Sequence, residues 1–267
     1  MAGRAVTLPA FNIHWPTLWP ILLFGGIAVA MFWPTFQWMA ERFDAHDSFY
    51  SHGWLIPVAS GWLIWQRRAR LAEIPKRGTY SGLMLLIPSL LLHAGATLFD
   101  VGFAAGFAML GVIYGLIWTC YGWPVLWALR FPLLFLIFMV PLPGVLLIAV
   151  SFKMKMMAAS FATWVLNFWG LPAVQAGSTI RVPGVSVIVD DTCSGLRSLI
   201  SLIALSTLWT ALMPRAAWWQ KSIIVVASIP ISLASNMVRI LTLVLLSAWA
   251  ATRTCCCAQR HSMTLRG

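Results

Sequence analysis

Residues 81–119, SGLMLLIPSLLLHAGATLFDVGFAAGFAMLGVIYGLIWT, contain one charged side chain, Asp100. About 20 consecutive apolar residues match the ~30 Å hydrocarbon core of a bilayer. The stretch therefore reads as two membrane spans, Ser81–Phe99 and Val101–Thr119, forming a hairpin that turns at Asp100. The rest of the 267-residue chain agrees, being 60% hydrophobic and only 9% charged. Soluble domains average ~25% charged residues, so the composition excludes an ordinary cytosolic protein and a disordered one. The net charge, 18 − 7 = +11, comes from Lys and Arg that flank apolar runs and form no stripe with spaced aromatics. That is the pattern of cytoplasmic loops in a polytopic membrane protein, and it argues against nucleic acid as a partner.

Working outward from the hairpin, a first span covers Thr17–Met39 and is too long for a cleavable signal peptide. A polar loop from Glu41 to His52 follows, and a short second span covers Gly53–Gln66. Arg67, Arg68, Arg70, Lys76 and Arg77 place the 67–80 loop in the cytoplasm. A fifth span near Phe131–Val140 is stopped by Pro141 and Pro143. Val145–Trp169 carries Lys153 and Lys155 in mid-run and reads as an amphipathic helix on the outer interface. Leu171–Val189, rich in Gly, Pro and β-branched residues, reads as a small extracytoplasmic loop or hairpin. Spans at Thr192–Met213 and Ser222–Ala250 complete an all-α bundle of about seven spans.

This topology puts Arg4, Arg67, Arg68, Arg70, Lys76, Arg77, Arg130, Arg215 and Lys221 inside, and only Arg42, Lys153, Lys155 and Arg181 outside. The membrane region is taken as residues 1–250, with 251–267 as a polar, basic, non-membrane tail. The five cysteines fit neither a disulfide framework nor a zinc site, and no cofactor or metal is expected.

Charges within a bilayer cost at least ~2.5 kcal/mol on insertion scales, so Arg197 and Arg239 need a reason. Cys193 lies four residues before Arg197, on one face if both are helical. Asp190, Asp191 or Thr192 can cap that helix, which puts Cys193 in its first turn, where the dipole and the guanidinium favour a thiolate. Asp190 and Asp191 act in the opposite sense. Arg239 comes 17 residues after Ser222, a rise of about 25 Å at ~1.5 Å per residue. It thus reaches the outer level expected for Cys193. Alternatives remain: Cys193 as a small packing residue, Arg239 snorkelling to headgroups, His52 as a surface or a site-lining residue. The pattern also admits a transporter with Arg197 and Arg239 along an anion path, or an intramembrane serine protease using Ser194 ahead of Gly195.

Four blocks in order resemble the exosortase/archaeosortase family of membrane-embedded cysteine transpeptidases. These are Tyr50-Ser51-His52-Gly53 with Trp65-Gln66-Arg67-Arg68, Phe131-Pro132 through Pro141-Leu142-Pro143, Asp191-Thr192-Cys193-Ser194-Gly195-Leu196-Arg197-Ser198, and Asn236-Met237-Val238-Arg239-Ile240. The resemblance implies Cys193 as nucleophile and Arg239 as catalytic arginine, with Arg197, Asn236, Ser194, Gly195 and His52 in support. It implies a third member, a histidine one span after the asparagine–arginine block, and His261 lies 22 residues beyond Arg239. It further implies exported substrates with a C-terminal sorting signal (motif, membrane helix, basic end), cleaved at the periplasmic face of a bacterial inner membrane. The tail from Ala251 departs from the family pattern, which suggests a disrupted reading frame near residue 251. A non-catalytic partner in exopolysaccharide assembly is the alternative if that tail leaves the site inactive.

Overall fold

The computed structural model describes residues 15–46, 48–183, 185–189, 195–213 and 215–264, with side chains from 26 to 249 apart from 27, 28 and 185. Helix accounts for 79% of the chain. The order is α1 (Trp15–Asp44), α2 (Leu55–Gln66), α3 (Arg68–Glu73), α4 (Leu83–Leu98), α5 (Gly102–Tyr121), α6 (Trp123–Ala128), α7 (Arg130–Phe135) and α8 (Gly144–Phe168). Three short strands follow, β1 (Val174–Ala176), β2 (Thr179–Val182) and β3 (Val185–Ile188), then α9 (Leu196–Leu212) and α10 (Trp218–Thr264).

The hairpin expected at Asp100 is present. Asp100 takes a positive φ of 54°, a conformation that Asp tolerates better than most residues, and this reverses the chain between α4 and α5. Lipid supplies no hydrophobic force between helices, so close backbone approach has to hold them. Gly115 supplies that approach: a Cβ there would stand 2.8 Å from the Leu86 Cα. His93, buried between the helices, has its two ring nitrogens 3.4 Å from the Ala105 carbonyl and 3.3 Å from that of Met31, linking α1, α4 and α5.

Among the described residues, four segments are long and apolar enough to cross a membrane: Tyr80–Leu98, Gly102–Tyr121, Gly144–Phe168 and Trp218–Trp249. The fifth segment, expected near Phe131–Val140, is found at Arg130–Met139, ten residues that reach about 15 Å by helical rise, half the hydrocarbon thickness. Its last turn is 3-10 and Pro141 and Pro143 prevent extension. Two hydrogen bonds anchor it, Ser60 Oγ donating to the Pro132 carbonyl at 2.8 Å and Tyr114 Oη to that of Leu133 at 2.5 Å.

The expectation of an interfacial helix changes at α8, which is among the segments long and apolar enough to cross a membrane. Ile148, Phe152, Met157 and Trp164 are more than half exposed on its outer side. Ala158, Ala159, Ala162 and Leu166 are buried against the sheet and α10. A helix that is apolar all round fits a span better than an interface, and Lys153 and Lys155 are too few to divide it into two faces.

The expected small hairpin is a three-stranded antiparallel sheet in the order β1-β2-β3, with Arg181 opposite both Val174 and Ser186. Alternation puts Ile180 and Val182 into the core beside Ile240 and Val244 of α10, while Arg181 points outward.

On α10, Ser228, Ser232, Asn236, Ile240 and Val244 recur every fourth residue, and all are buried. The polar half of this stripe meets α9, while the apolar half meets α8 and the sheet. The helix does not end at Ala250. Its backbone runs unbroken through residues 251–264, so the tail is a continuation of α10.

Candidate active site

α9 begins at Leu196 because Gly195 adopts a left-handed conformation, φ 76° and ψ 0°, which an α-helix cannot contain. The first helical turn of α9 is therefore Leu196–Leu199. Cys193, Ser194 and the capping candidates Asp190, Asp191 and Thr192 lie outside the described residues, as does the side chain of His261, so the expected first-turn place of Cys193 and its helical face with Arg197 lie outside them too.

The structure brings two of the sequence blocks together. Gly195 is buried, and a Cβ added to it would stand 2.5 Å from Cγ and 2.8 Å from Cβ of Asn236. Asn236 is itself only 6% exposed. One turn deeper, the Ser232 hydroxyl donates to Ser198 Oγ at 3.5 Å. Arg239 follows Asn236 by three residues on α10 and is exposed, as is Arg197 on the first turn of α9.

The Tyr50–Gly53 block joins the same region from the far end of the sequence. Leu142 N–H donates to Tyr50 Oη at 3.1 Å, which ties this block to the proline-rich turn before α8. Tyr50 N–H donates in turn to Ser48 Oγ at 2.9 Å. The Tyr50 ring stacks on His52, with centroids 6.0 Å apart. His52 Nδ1 lies 3.1 Å from the Ser201 hydroxyl on α9, and its Nε2 is buried without a hydrogen-bond partner.

Burial lowers the His52 pKa below its usual 6.5, so the imidazole is neutral near pH 7, with one nitrogen able to donate and the other to accept. Tyr50 is pushed upward, mainly by burial, against the opposing effect of the Leu142 hydrogen bond.

Ser198, Ser201 and Ser232 are absent from the sequence reading of the site. Their signal was present as hydroxyls in otherwise apolar runs, Ser198 and Ser232 where α9 meets α10 and Ser201 where α9 meets His52. His52 is half-buried rather than free on the surface, and it is fixed to α9 through Ser201.

A family model described as Transmembrane exosortase (Exosortase_EpsH) matches residues 38–254. No curated protein and no solved structure matches the chain. The matched range takes in the Tyr50–Gly53 block, the proline-rich turn, the start of α9 and the asparagine–arginine block of α10. This chain belongs to the transmembrane exosortase family.

Proposed function

We propose that the chain is a cysteine transpeptidase that cleaves the C-terminal sorting signal of exported proteins at the outer face of the inner membrane. The observation that carries this reading is the contact between Gly195 and Asn236. Consecutive Cα atoms are ~3.8 Å apart, so covalent connectivity alone keeps Cys193 within about 7.6 Å of Gly195. Arg239 is less than one turn from Asn236 on the other side of that contact. A thiol and a guanidinium distant in sequence are thereby held in one neighbourhood.

In the reaction, the Cys193 thiolate attacks the carbonyl carbon of a peptide bond in the substrate tail. Arg239 holds the oxyanion of the tetrahedral intermediate. The C–N bond breaks as a general acid protonates the leaving amine, and a thioester remains on Cys193. His261, about 33 Å of helical rise beyond Arg239 on the unbroken α10, is too far away to be that acid. An acceptor amine, or water, then displaces the thiol and recovers it. His52 supports the site by fixing α9 through Ser201. Arg197, Asn236, Ser194 and Gly195 shape the approach to the sulfur.

Co-expression with a tagged protein carrying a sorting motif, one membrane helix and a basic end tests this. The wild type shortens the tag-bearing protein and Cys193→Ala does not. Equal processing by both proteins, or processing by neither while a control exosortase acts on the same substrate, removes the reading.

A further inference from the structure

At the end of the bundle opposite His52 and Gly195 there is a cavity of about 770 Å³. Three separate parts of the chain deliver cations to it. Arg67 and Arg70 come from the α2–α3 junction, Arg130 from the start of α7 and Lys221 from the first turn of α10. Gln66 of α2 and Thr210 of α9 complete the polar lining, and among the described residues no carboxylate lines the cavity. Arg67 is half-buried and donates to the Ala128 carbonyl at 3.0 Å. Its pKa is lowered, first by burial and then by the charges of Arg70 and Arg130. The Arg130 guanidinium lies over the Trp127 ring, 4.5 Å from its centroid.

Gathering like charges in a concave site costs free energy and focuses a positive potential there. An anion offsets that cost, and guanidinium forks match phosphate oxygens in pairs. The depth indicates how the anion arrives. Trp65, Trp123, Trp127, Trp209, Trp218 and Trp219 sit on the helix ends of this side, each at least half exposed. Tryptophan belts mark the headgroup level of a membrane. Basic pockets between helices at that level take lipid headgroups.

We infer that this cavity binds the phosphate of an anionic phospholipid headgroup between Arg67, Arg70, Arg130 and Lys221. The acyl chains would then lie along the apolar helix surfaces, and the lipid would tie the starts of α7 and α10 to the end of α2. A soluble phosphate compound shares the same chemistry but lacks that apolar anchor.

The test uses full-length protein in detergent, titrated with phosphatidylglycerol or phosphatidylcholine and read by native mass spectrometry. Inorganic phosphate and glycerol 3-phosphate form a third arm. Phosphatidylglycerol is expected to bind at least about tenfold more tightly than phosphatidylcholine. Each removed cation should weaken it about fivefold, so Arg70→Gln/Arg130→Gln/Lys221→Gln should lose about a hundredfold. Arg70→Lys/Arg130→Lys keeps the charge and most of the affinity. If the triple variant does not fold, Lys221→Gln alone carries the measurement. Equal binding of the two lipids overturns the inference. So does phosphatidylglycerol affinity that ignores the substitutions, or soluble phosphate binding as tightly as the lipid.

Discussion

Asn236 occupies the space that any side chain at position 195 would need, since a Cβ there would stand 2.5 Å from its Cγ. The turn before α9 and the middle of α10 are therefore held in backbone-to-side-chain contact. That contact joins the part of the chain carrying Cys193 to the part carrying Arg239.

Cys193→Ala should abolish substrate cleavage in the co-expression assay while leaving expression and melting temperature near wild type. Arg239→Ala should lower the rate by about 10²–10³-fold, the usual loss of an oxyanion donor. If Arg239→Ala cleaves at wild-type rate, the arginine has no part in the chemistry.

Gly195→Ala combines a positive φ with a clash against Asn236. A non-glycine residue in that backbone region costs about 1–3 kcal/mol. Both the melting temperature and the cleavage rate should fall. Pairing it with Asn236→Gly, which removes both Cγ and the Cβ that would stand 2.8 Å away, should relieve the clash but not the backbone cost at position 195. A Gly195→Ala protein as stable as wild type would show that the turn does not require glycine.

Tyr50→Phe removes the acceptor of the Leu142 N–H while keeping the ring against His52. Losing a part-buried hydrogen bond costs about 0.5–1.5 kcal/mol, so thermal stability should drop slightly with only a modest loss of cleavage. A larger effect on rate than on stability would mean that the hydroxyl itself serves the reaction.

His52 supplies a pH signature. Its folded pKa lies below 6.5 because burial disfavours the imidazolium, so the unfolded chain takes up the proton first as the pH falls. Stability contributed by the neutral ring is present above pH 6.5 and is lost through the window from there down to the folded value. Melting temperatures measured from about pH 7 to about pH 5 should fall more steeply for wild type than for His52→Gln. Parallel curves would remove His52 as the source.

His261 and His52 can be separated by activity. His261 stands 22 residues, about 33 Å of helical rise, beyond Arg239 on α10, so His261→Ala should leave cleavage near wild type. Ser201→Ala, which loosens His52 without touching either imidazole, should lower the rate more. A loss of about 10²–10⁴-fold in His261→Ala, the size expected of a general acid, would show that the end of α10 folds back onto the site.

The Asp100 hairpin, the spans on either side of it and the approach of the two C-terminal blocks were legible because each leaves a local trace: an apolar run, a lone charge, a glycine beside a polar block. The start of α9 was not. Asp190, Asp191 and Thr192 are strong capping residues, yet the left-handed turn at Gly195 starts the helix later. The character of α8 was hidden because two lysines suggest a polar face, whereas the packing of its alanines onto α10 and the sheet decides its surroundings. The pairing of His52 with Ser201 spans 149 residues, and no local pattern encodes it.

The fourfold stripe on α10 changes character between Asn236 and Ile240, and this makes it a ruler. A slip of one turn, about 5.4 Å, would in one direction drive the branched Ile240 side chain onto the bare Gly195 backbone, and in the other put Asn236 at the apolar level that Ile240 fills. Neither exchange is tolerated, so α10 has one permitted height against its neighbours. The height of Arg239 relative to α9 and the sheet is thus gauged by the helix itself, whatever the thickness of the surrounding lipid.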